Sequence, residues 1–317
     1  MRTETFSLLG YENMPLSARL WLPEGEVKAL VQVTHGMTEH MGRYEALAAA
    51  LTARGIALGG FDLRGHGENP GDRSIASFGE RGWEVSLEDM DIFSRTLQQR
   101  FPGIPRVMLG FSLGSFLLRE YLSRGPKGLS GAIIMGTGHQ SPAVLGLMMA
   151  IVKGQVKKAG HDGCTDLVRQ LSFGTYNKKF APNQTVADWL CSDREQLAAY
   201  LNDPLCREDI SAGLFHQMLG AMKRTCSRNA LQSWDKEMPV LLLSGSDDPV
   251  GDGGKGVKKL YEQMEKAGMT NVQCRLIPNA RHDLLHEECC GAAARARDMM
   301  LEWLEKLINQ EGTGEPT

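Results

Sequence analysis

Short apolar runs alternate with longer segments of helical periodicity along most of this 317-residue chain. The runs have the length and composition of buried β-strands, and the segments between them have the 3.6-residue period of helices. The predicted buried strands are residues 29–34, 56–61, 106–109, 131–135, 240–244 and 272–276. The predicted helices are residues 44–54, 83–101, 115–123, 254–267 and 291–308.

This alternation predicts an α/β fold with a mostly parallel sheet and helices on both of its faces. Residues 3–9 and 16–22 read as two further strands joined by a turn at residues 10–13, which places antiparallel pairing at one edge of the sheet.

The alternation stops after residue 137, and residues 138–235 are Met-rich and helical in pattern, without clear strands. Ligands bind beyond the carboxyl ends of strands in such sheets, and this insertion directly follows a strand end. We therefore expect it to act as a lid over the site. The predicted organisation is a first core part (1–137), a helical lid (138–235), a second core part (236–310) and a flexible tail (311–317).

Composition and charge indicate which classes of partner and which cellular compartment are expected for this protein. The net charge is −3 and no basic stripe is present, which argues against a nucleic-acid partner. Seven scattered cysteines without a C-x-x-C pair indicate a reducing compartment. Because neither a signal pattern nor an apolar run of membrane-spanning length occurs, we expect a cytoplasmic protein. The sequence leaves the oligomeric state open.

The segment Gly110-Phe111-Ser112-Leu113-Gly114 lies between a predicted strand and a predicted helix. This is the Gly-x-Ser-x-Gly pattern in the context of a nucleophile elbow, where small flanking residues permit a tight turn. We predict that Ser112 has a strained backbone and lies at a helix N-terminus, which favours developing negative charge. The alternative is a glycine-rich loop with an incidental serine.

A serine nucleophile needs a base and an acid, expected in the chain order serine, acid, histidine. His282 follows the last predicted strand and is the predicted base, whereas His286 is expected to pack or to face solvent. The loop after the preceding strand offers Asp247 and Asp248. Asp248 is preferred because a following proline biases it to an extended conformation, and Asp247 remains the alternative. The acid would hold the imidazole in one tautomer.

The oxyanion of an acyl-transfer intermediate needs two preorganised donors. We expect one to be the backbone N–H of Leu113, the residue after the nucleophile. The other is expected from the loop after the first buried strand, at the backbone N–H of Met37.

Several motifs together resemble the α/β-hydrolases of the serine aminopeptidase-like group, which includes monoacylglycerol lipases and bacterial lysophospholipases. The matching stretches are residues 35–40 with 43–44, residues 61–67, 110–114 and 245–250, and residues 280–282 with Glu287. The resemblance implies the α/β-hydrolase fold, a Ser-Asp-His triad and hydrolysis of carboxylic esters, including monoacyl lipids. In the family pattern the acid lies three residues after a glycine, which matches Gly245 and Asp248.

Within the predicted lid, residues 173–177, 188–190 and 200–204 resemble a bacterial branch of lysophospholipase-like hydrolases. An apolar face there could hold an acyl chain, since Met suits adaptable apolar surfaces, or could simply pack the lid on the core. Its substrate-contacting members are predicted to be Leu145, Met148, Met149, Ile151 and Val152. No strongly basic face accompanies it, so at most transient contact with a membrane surface is expected.

Two other motifs in the sequence do not predict a cofactor or metal site. Residues 251–256 match G-x-G-x-x-G, but they do not open a strand–helix–strand unit, so dinucleotide binding is not expected. The spacing of His282 and His286 lacks the glutamate of a zinc motif, and we expect no metal and no cofactor. The expected partner is a small ester or lipid substrate. The alternatives are a serine aminopeptidase or amidase, and a ligand-binding protein without turnover.

Overall fold

The structure is a computed structural model, and it describes residues 1–72, 74–227 and 229–312. Its strands are β1 (Arg2–Leu9), β2 (Pro15–Leu22), β3 (Ala29–Thr34), β4 (Ile56–Phe61), β5 (Ile75–Ala76), β6 (Arg106–Phe111), β7 (Gly131–Met135), β8 (Asp209–Ile210), β9 (Val240–Gly245) and β10 (Val272–Ile277). Its helices are α1 (Glu45–Thr52), α2 (Gly82–Arg100), α3 (Leu113–Leu122), α4 (Pro142–Ala159), α5 (Asp166–Arg169), α6 (Thr175–Asn177), α7 (Arg194–Asn202), α8 (Ala212–Thr225), α9 (Lys255–Lys266) and α10 (Ala292–Gly312).

Eight of the described strands form one sheet in the order β1-β2-β4-β3-β6-β7-β9-β10. The pairs β1–β2 and β2–β4 are antiparallel, and the other neighbours in the sheet are parallel. The predicted α/β fold with antiparallel pairing at one edge is therefore confirmed.

The sheet is covered on both faces, as near-continuous apolar strands require. Strands β3, β4, β6, β7 and β9 are buried at every position. One hydrophobic cluster joins one face to α2, α3 and α8, and a second joins the other face to α1 and α10. Each fully buried Leu, Ile or Phe contributes about 1.5–3 kcal/mol relative to exposure. This rigid core fixes the loops at the carboxyl ends of the strands.

Strand β6 continues two residues beyond its predicted end at residue 109. Gly110 still pairs with Thr34 of β3, and Phe111 pairs with Met135 of β7. Since α3 begins at Leu113, Ser112 is the single residue between strand and helix.

The segment between β7 and β9 contains helices α4 to α8, as its helical pattern predicts. It also contains β8, which pairs in parallel with β5, and two residues are too few to give a periodic signal. The limits of the predicted lid and its action as a lid stay predictions. Helix α10 extends to Gly312, and the rest of the predicted flexible tail, residues 313–317, lies outside the described residues.

Within the described ranges, none of the helices combines the length and apolar character that crossing a bilayer requires.

Candidate active site

Ser112 has a strained backbone between β6 and α3. Its φ of 51° and ψ of −114° lie outside the regions that non-glycine residues usually occupy. Its N–H donates to the Met135 carbonyl at 3.0 Å, and its own carbonyl accepts from the N–H of Ser115 at 2.9 Å. These bonds to β7 and α3 hold the residue in the conformation that the elbow motif predicts.

The two glycines of the motif allow α3 to pack directly on the sheet. A Cβ on Gly114 would overlap the carbonyl oxygen of Thr34 at the end of β3, and a Cβ on Gly110 would overlap the carbonyl oxygen of Gly114. Both obstacles are backbone atoms, which cannot rotate away as a side chain can. The elbow therefore requires glycine for close approach at both positions.

We expect Gly114→Ala to lower the free energy of unfolding by about 3 kcal/mol or more, because the added methyl must displace a buried strand. The matched control is Gly154→Ala in the middle of α4, where a Cβ would meet nothing within 4 Å. That change should stabilise the protein by about 0.5–1 kcal/mol through helix propensity. Urea denaturation measures both, and equal stabilities of the two variants would contradict the close approach at the elbow.

His282 lies on the loop after β10 and contacts both other candidate residues. Its Nε2 is 2.8 Å from Ser112 Oγ, and its Nδ1 is 2.9 Å from Asp248 Oδ1. The ring lies between Phe111 and Trp189, with centroid distances of 5.0 and 5.1 Å. The structure thus brings together three side chains that are distant in sequence: Asp248 lies 34 residues before His282, and Ser112 lies 170 residues before it.

Asp248 and its neighbour Asp247 have different surroundings. Asp248 is fully buried, and its carboxylate also accepts hydrogen bonds from Val250 N–H at 2.8 Å and Ser244 Oγ at 3.2 Å. Asp247 is partly exposed. The carboxylate that contacts His282 is therefore that of Asp248, and neighbouring residues of the chain hold this carboxylate in place.

The loop after β3 is held by a buried carboxylate and a buried imidazole. Glu39 Oε1 accepts the N–H of Gly36 at 2.5 Å and the hydroxyl of Tyr44 at 2.9 Å. His35 Nε2 accepts the N–H of Leu63 at 2.8 Å, so its Nδ1 carries the proton and donates to the Gly36 carbonyl at 2.7 Å. Burial lowers the pKa of His35 to about 3, so the imidazole stays neutral and links two loops.

The two expected oxyanion donors lie next to the serine. Met37 lines the same small cavity as Ser112. Its N–H donates to no acceptor within the described part of the chain. Leu113 is the first residue of α3, where a backbone N–H has no acceptor within its own helix. Both groups are thus available to a ligand.

A buried ionic network extends from this loop to the histidine loop, and the sequence reasoning did not predict it. Arg43 contacts Glu39 Oε2 at 2.9 Å and Asp283 Oδ2 at 2.7 Å, and Asp283 Oδ1 contacts His286 Nδ1 at 2.9 Å. Burial opposes the charged form of Arg43, but the carboxylates of Asp283 and Glu39 outweigh it and raise the pKa of Arg43. Burial also opposes ionisation of Asp283, yet His286 and Arg43 hold its pKa well below the usual range.

One feature of the sequence could have predicted part of this network. Glu39 and Arg43 are four residues apart with opposite charges, a spacing that favours an ion pair. Their link to Asp283 spans 240 residues, which no local pattern shows. His286 packs within this network, as one of its two expected roles allowed.

A cavity of about 60 Å³ opens over Ser112. Its apolar walls are Met37, Phe111, Phe116, Phe173, Trp189, Leu190, Phe215, Met218, Met222 and Val250. A larger cavity of about 660 Å³ adjoins it and shares Phe173, Trp189, Leu190 and Tyr200 with it.

The five predicted acyl-contacting residues of α4 have other surroundings. Among the described residues, the walls of neither cavity include any of them. Leu145 and Val152 are fully buried in the core cluster, Met148 and Met149 pack against it, and Ile151 is exposed. The structure therefore matches the other interpretation of this face, in which it packs the helical segment on the core.

A family model described as "Serine aminopeptidase, S33" matches residues 25–289, which is most of the chain and includes Ser112, Asp248 and His282. The chain belongs to the serine aminopeptidase S33 family. This S33 chain is 27% identical over 310 residues to the monoglyceride lipase of Homo sapiens, covering 98% of this chain and 93% of that protein. It is 25% identical over 289 residues to the monoacylglycerol lipase of Mycolicibacterium smegmatis, covering 89% and 90%.

Solved structures of other proteins share the fold of this S33 chain. A highly thermostable carboxyl esterase from Bacillus coagulans matches with a TM-score of 0.85 at 21% identity, covering 97% of this chain and 99% of that one. A soluble variant of monoglyceride lipase from Saccharomyces cerevisiae, in complex with a substrate analogue, matches with a TM-score of 0.77 at 21% identity, covering 97% and 96%. The α/β-hydrolase fold expected from the sequence is thereby confirmed.

Proposed function

We propose that this chain is a serine hydrolase that cleaves carboxylic esters of monoacyl lipids, monoacylglycerols in particular, through an acyl-enzyme. The observation that carries the proposal is the hydrogen-bonded series Ser112–His282–Asp248, with distances of 2.8 and 2.9 Å. A hydroxyl in this arrangement has a base within reach, and the base has a carboxylate that orients it.

In the proposed mechanism, Ser112 Oγ attacks the ester carbonyl while His282 Nε2 takes its proton. Asp248 keeps the His282 proton on Nδ1 and stabilises the imidazolium that forms. The N–H groups of Met37 and Leu113 donate to the negatively charged oxygen of the tetrahedral intermediate. The imidazolium then protonates the leaving alcohol, and an acyl-serine remains. Water attacks it with His282 again as base, which releases the fatty acid and restores the serine.

Three features support an ester substrate with an acyl chain. Two relatives that align over most of this chain are named as a monoglyceride lipase and a monoacylglycerol lipase. The cavity over Ser112 is lined mainly by aromatic and Met side chains, which suit an aliphatic chain. The adjoining cavity of about 660 Å³ gives room for atoms that the small cavity excludes.

The charges of the cavity argue against an aminopeptidase, which needs a carboxylate free to bind the α-amine of its substrate. Glu39 and Asp283 line the cavity, but both are paired with Arg43. Asp248 is paired with His282. Among the described residues, the small cavity over Ser112 therefore has no unpaired carboxylate that could bind a cationic amine.

Helix α4 supports transient contact with aggregated lipid. Its exposed apolar residues Val144, Leu147 and Ile151 follow the i, i+3, i+7 spacing of one helix face. The area is small, so the contact is expected to be reversible.

A fluorophosphonate probe followed by peptide mass spectrometry tests the proposal directly. We expect labelling at Ser112, turnover of p-nitrophenyl esters and monoacylglycerols, and little turnover of aminoacyl-p-nitroanilides. A folded protein that the probe does not label would favour a ligand-binding protein without turnover. A preference for the anilides would favour the peptidase.

A further inference from the structure

Most polar side chains of the small cavity are already hydrogen-bonded within the protein. The three charged residues of its wall form the ionic network of Arg43. Thr38 Oγ1 donates to the Met37 carbonyl at 2.5 Å, so the Tyr200 hydroxyl, at 2.7 Å, donates to Thr38. Ser172 Oγ donates to the carbonyl of Val168 in the preceding helix α5 at 2.8 Å. These groups hold the wall together and have little left to offer a substrate.

Tyr176 differs from them. Its side chain lines the cavity, yet its hydroxyl has no hydrogen-bond partner among the described residues. Burial, and then the nearby charge of Asp248, raise the pKa of Tyr176 to about 12, so the phenol stays protonated at neutral pH. The Tyr176 side chain is partly exposed and lines a largely apolar cavity, so we expect a ligand in that cavity to be the hydrogen-bond partner of its hydroxyl.

The protein holds Tyr176 at a fixed position. The side chain of the neighbouring Asn177 accepts the backbone N–H of Trp189 at 3.0 Å and donates to the Thr185 carbonyl at 2.8 Å. The Tyr176 ring also packs against Trp189, with a centroid distance of 5.2 Å. The hydroxyl is therefore preorganised, and a hydrogen bond to it costs little conformational entropy.

Tyr176 is linked through a single ring, that of Trp189, to the histidine that must protonate the alcohol half of an ester. The leaving oxygen receives its proton from His282 Nε2, so the alcohol lies beside that ring. Trp189 packs against both rings, with centroid distances of 5.1 Å to His282 and 5.2 Å to Tyr176, so the Tyr176 ring lies close to the expected place of the alcohol. The indole N–H of Trp189 also has no acceptor within the described residues, but a phenol can both donate and accept, as an alcohol does.

We propose that the Tyr176 hydroxyl hydrogen-bonds a free hydroxyl of the leaving alcohol and thereby selects esters of diols and triols over esters of simple alcohols. This inference rests on the proposed ester hydrolase function and deepens it, because it assigns specificity for the alcohol half to one residue.

The test compares Tyr176→Phe with the unmodified protein on two esters of the same fatty acid, the 1-monoacylglycerol and the methyl ester. Tyr176→Phe should lower kcat/KM for the monoacylglycerol by about three- to tenfold, the value of one hydrogen bond, and change kcat/KM for the methyl ester by less than about twofold. The matched control is Tyr11→Phe, which removes the hydroxyl of an exposed tyrosine and should change neither value.

Each contrary outcome is informative. An equal loss on both esters would mean that Tyr176 only packs Trp189 against His282, and it would overturn the inference. The inference would also be overturned if Tyr176→Phe left kcat/KM for the monoacylglycerol unchanged, or if the unmodified protein did not prefer the monoacylglycerol to the methyl ester. In either case, turnover of the methyl ester would still support the proposed serine esterase. Failure of the unmodified protein to hydrolyse either ester or to react with the fluorophosphonate would instead overturn the proposed function, and this inference with it.

Discussion

Ser112→Ala is expected to lower kcat for ester hydrolysis by about 10,000-fold or more, since the hydroxyl that forms the acyl-enzyme is lost. Stability should change little. Among the described residues the side chain makes one hydrogen bond, to His282, and the strained backbone at φ 51° is the same for serine and alanine. We expect the free energy of unfolding to shift by no more than about 1 kcal/mol.

Initial rates on a p-nitrophenyl ester and a thermal melt of the same preparation measure both quantities. Ser123→Ala is the matched control, because it makes the same chemical change just after the C-terminal end of α3. It should keep its rate and lose some stability, since its hydroxyl accepts the indole N–H of Trp234 at 3.0 Å. Wild-type rates in Ser112→Ala would show that the nucleophile lies elsewhere.

Features that depend on short stretches of chain could be predicted from the sequence. The buried strands are apolar throughout, and the elbow needs glycines on both sides of one serine, so periodicity and composition identify them. The topology then follows a general rule: the carboxyl ends of parallel strands lie at one edge, which is where loops carrying Ser112, Asp248 and His282 meet.

Features that depend on how the helices pack against one another could not be predicted from the sequence. The apolar residues of α4 have the same sequence pattern whether they pack or line a cavity, and only the position of α8 shows that Leu145 and Val152 are buried by packing. The cavity walls come instead from separate segments, through Phe173, Trp189 and Phe215. The link between Arg43 and Asp283 likewise needs the folded chain.

The sequence favours Asp248 over Asp247 as the acid, and two matched substitutions test that choice. Asp248→Asn should lower kcat by about 10,000-fold, because its amide can donate to His282 Nδ1 and so leave the proton on Nε2, where the ring cannot accept the serine proton. Asp247→Asn makes the same chemical change one residue away, on a partly exposed side chain, and should change kcat by less than about twofold.

The rate of fluorophosphonate labelling distinguishes the two aspartates independently of substrate binding, because the probe reports only how readily Ser112 attacks. Labelling should slow strongly in Asp248→Asn and remain unchanged in Asp247→Asn, while thermal melts establish that both variants are folded. Asp248 accepts hydrogen bonds from Val250 and Ser244, and an asparagine oxygen can keep one of them, so the loop should persist in the variant. Slow labelling in Asp247→Asn with a normal rate in Asp248→Asn would reassign the acid to Asp247.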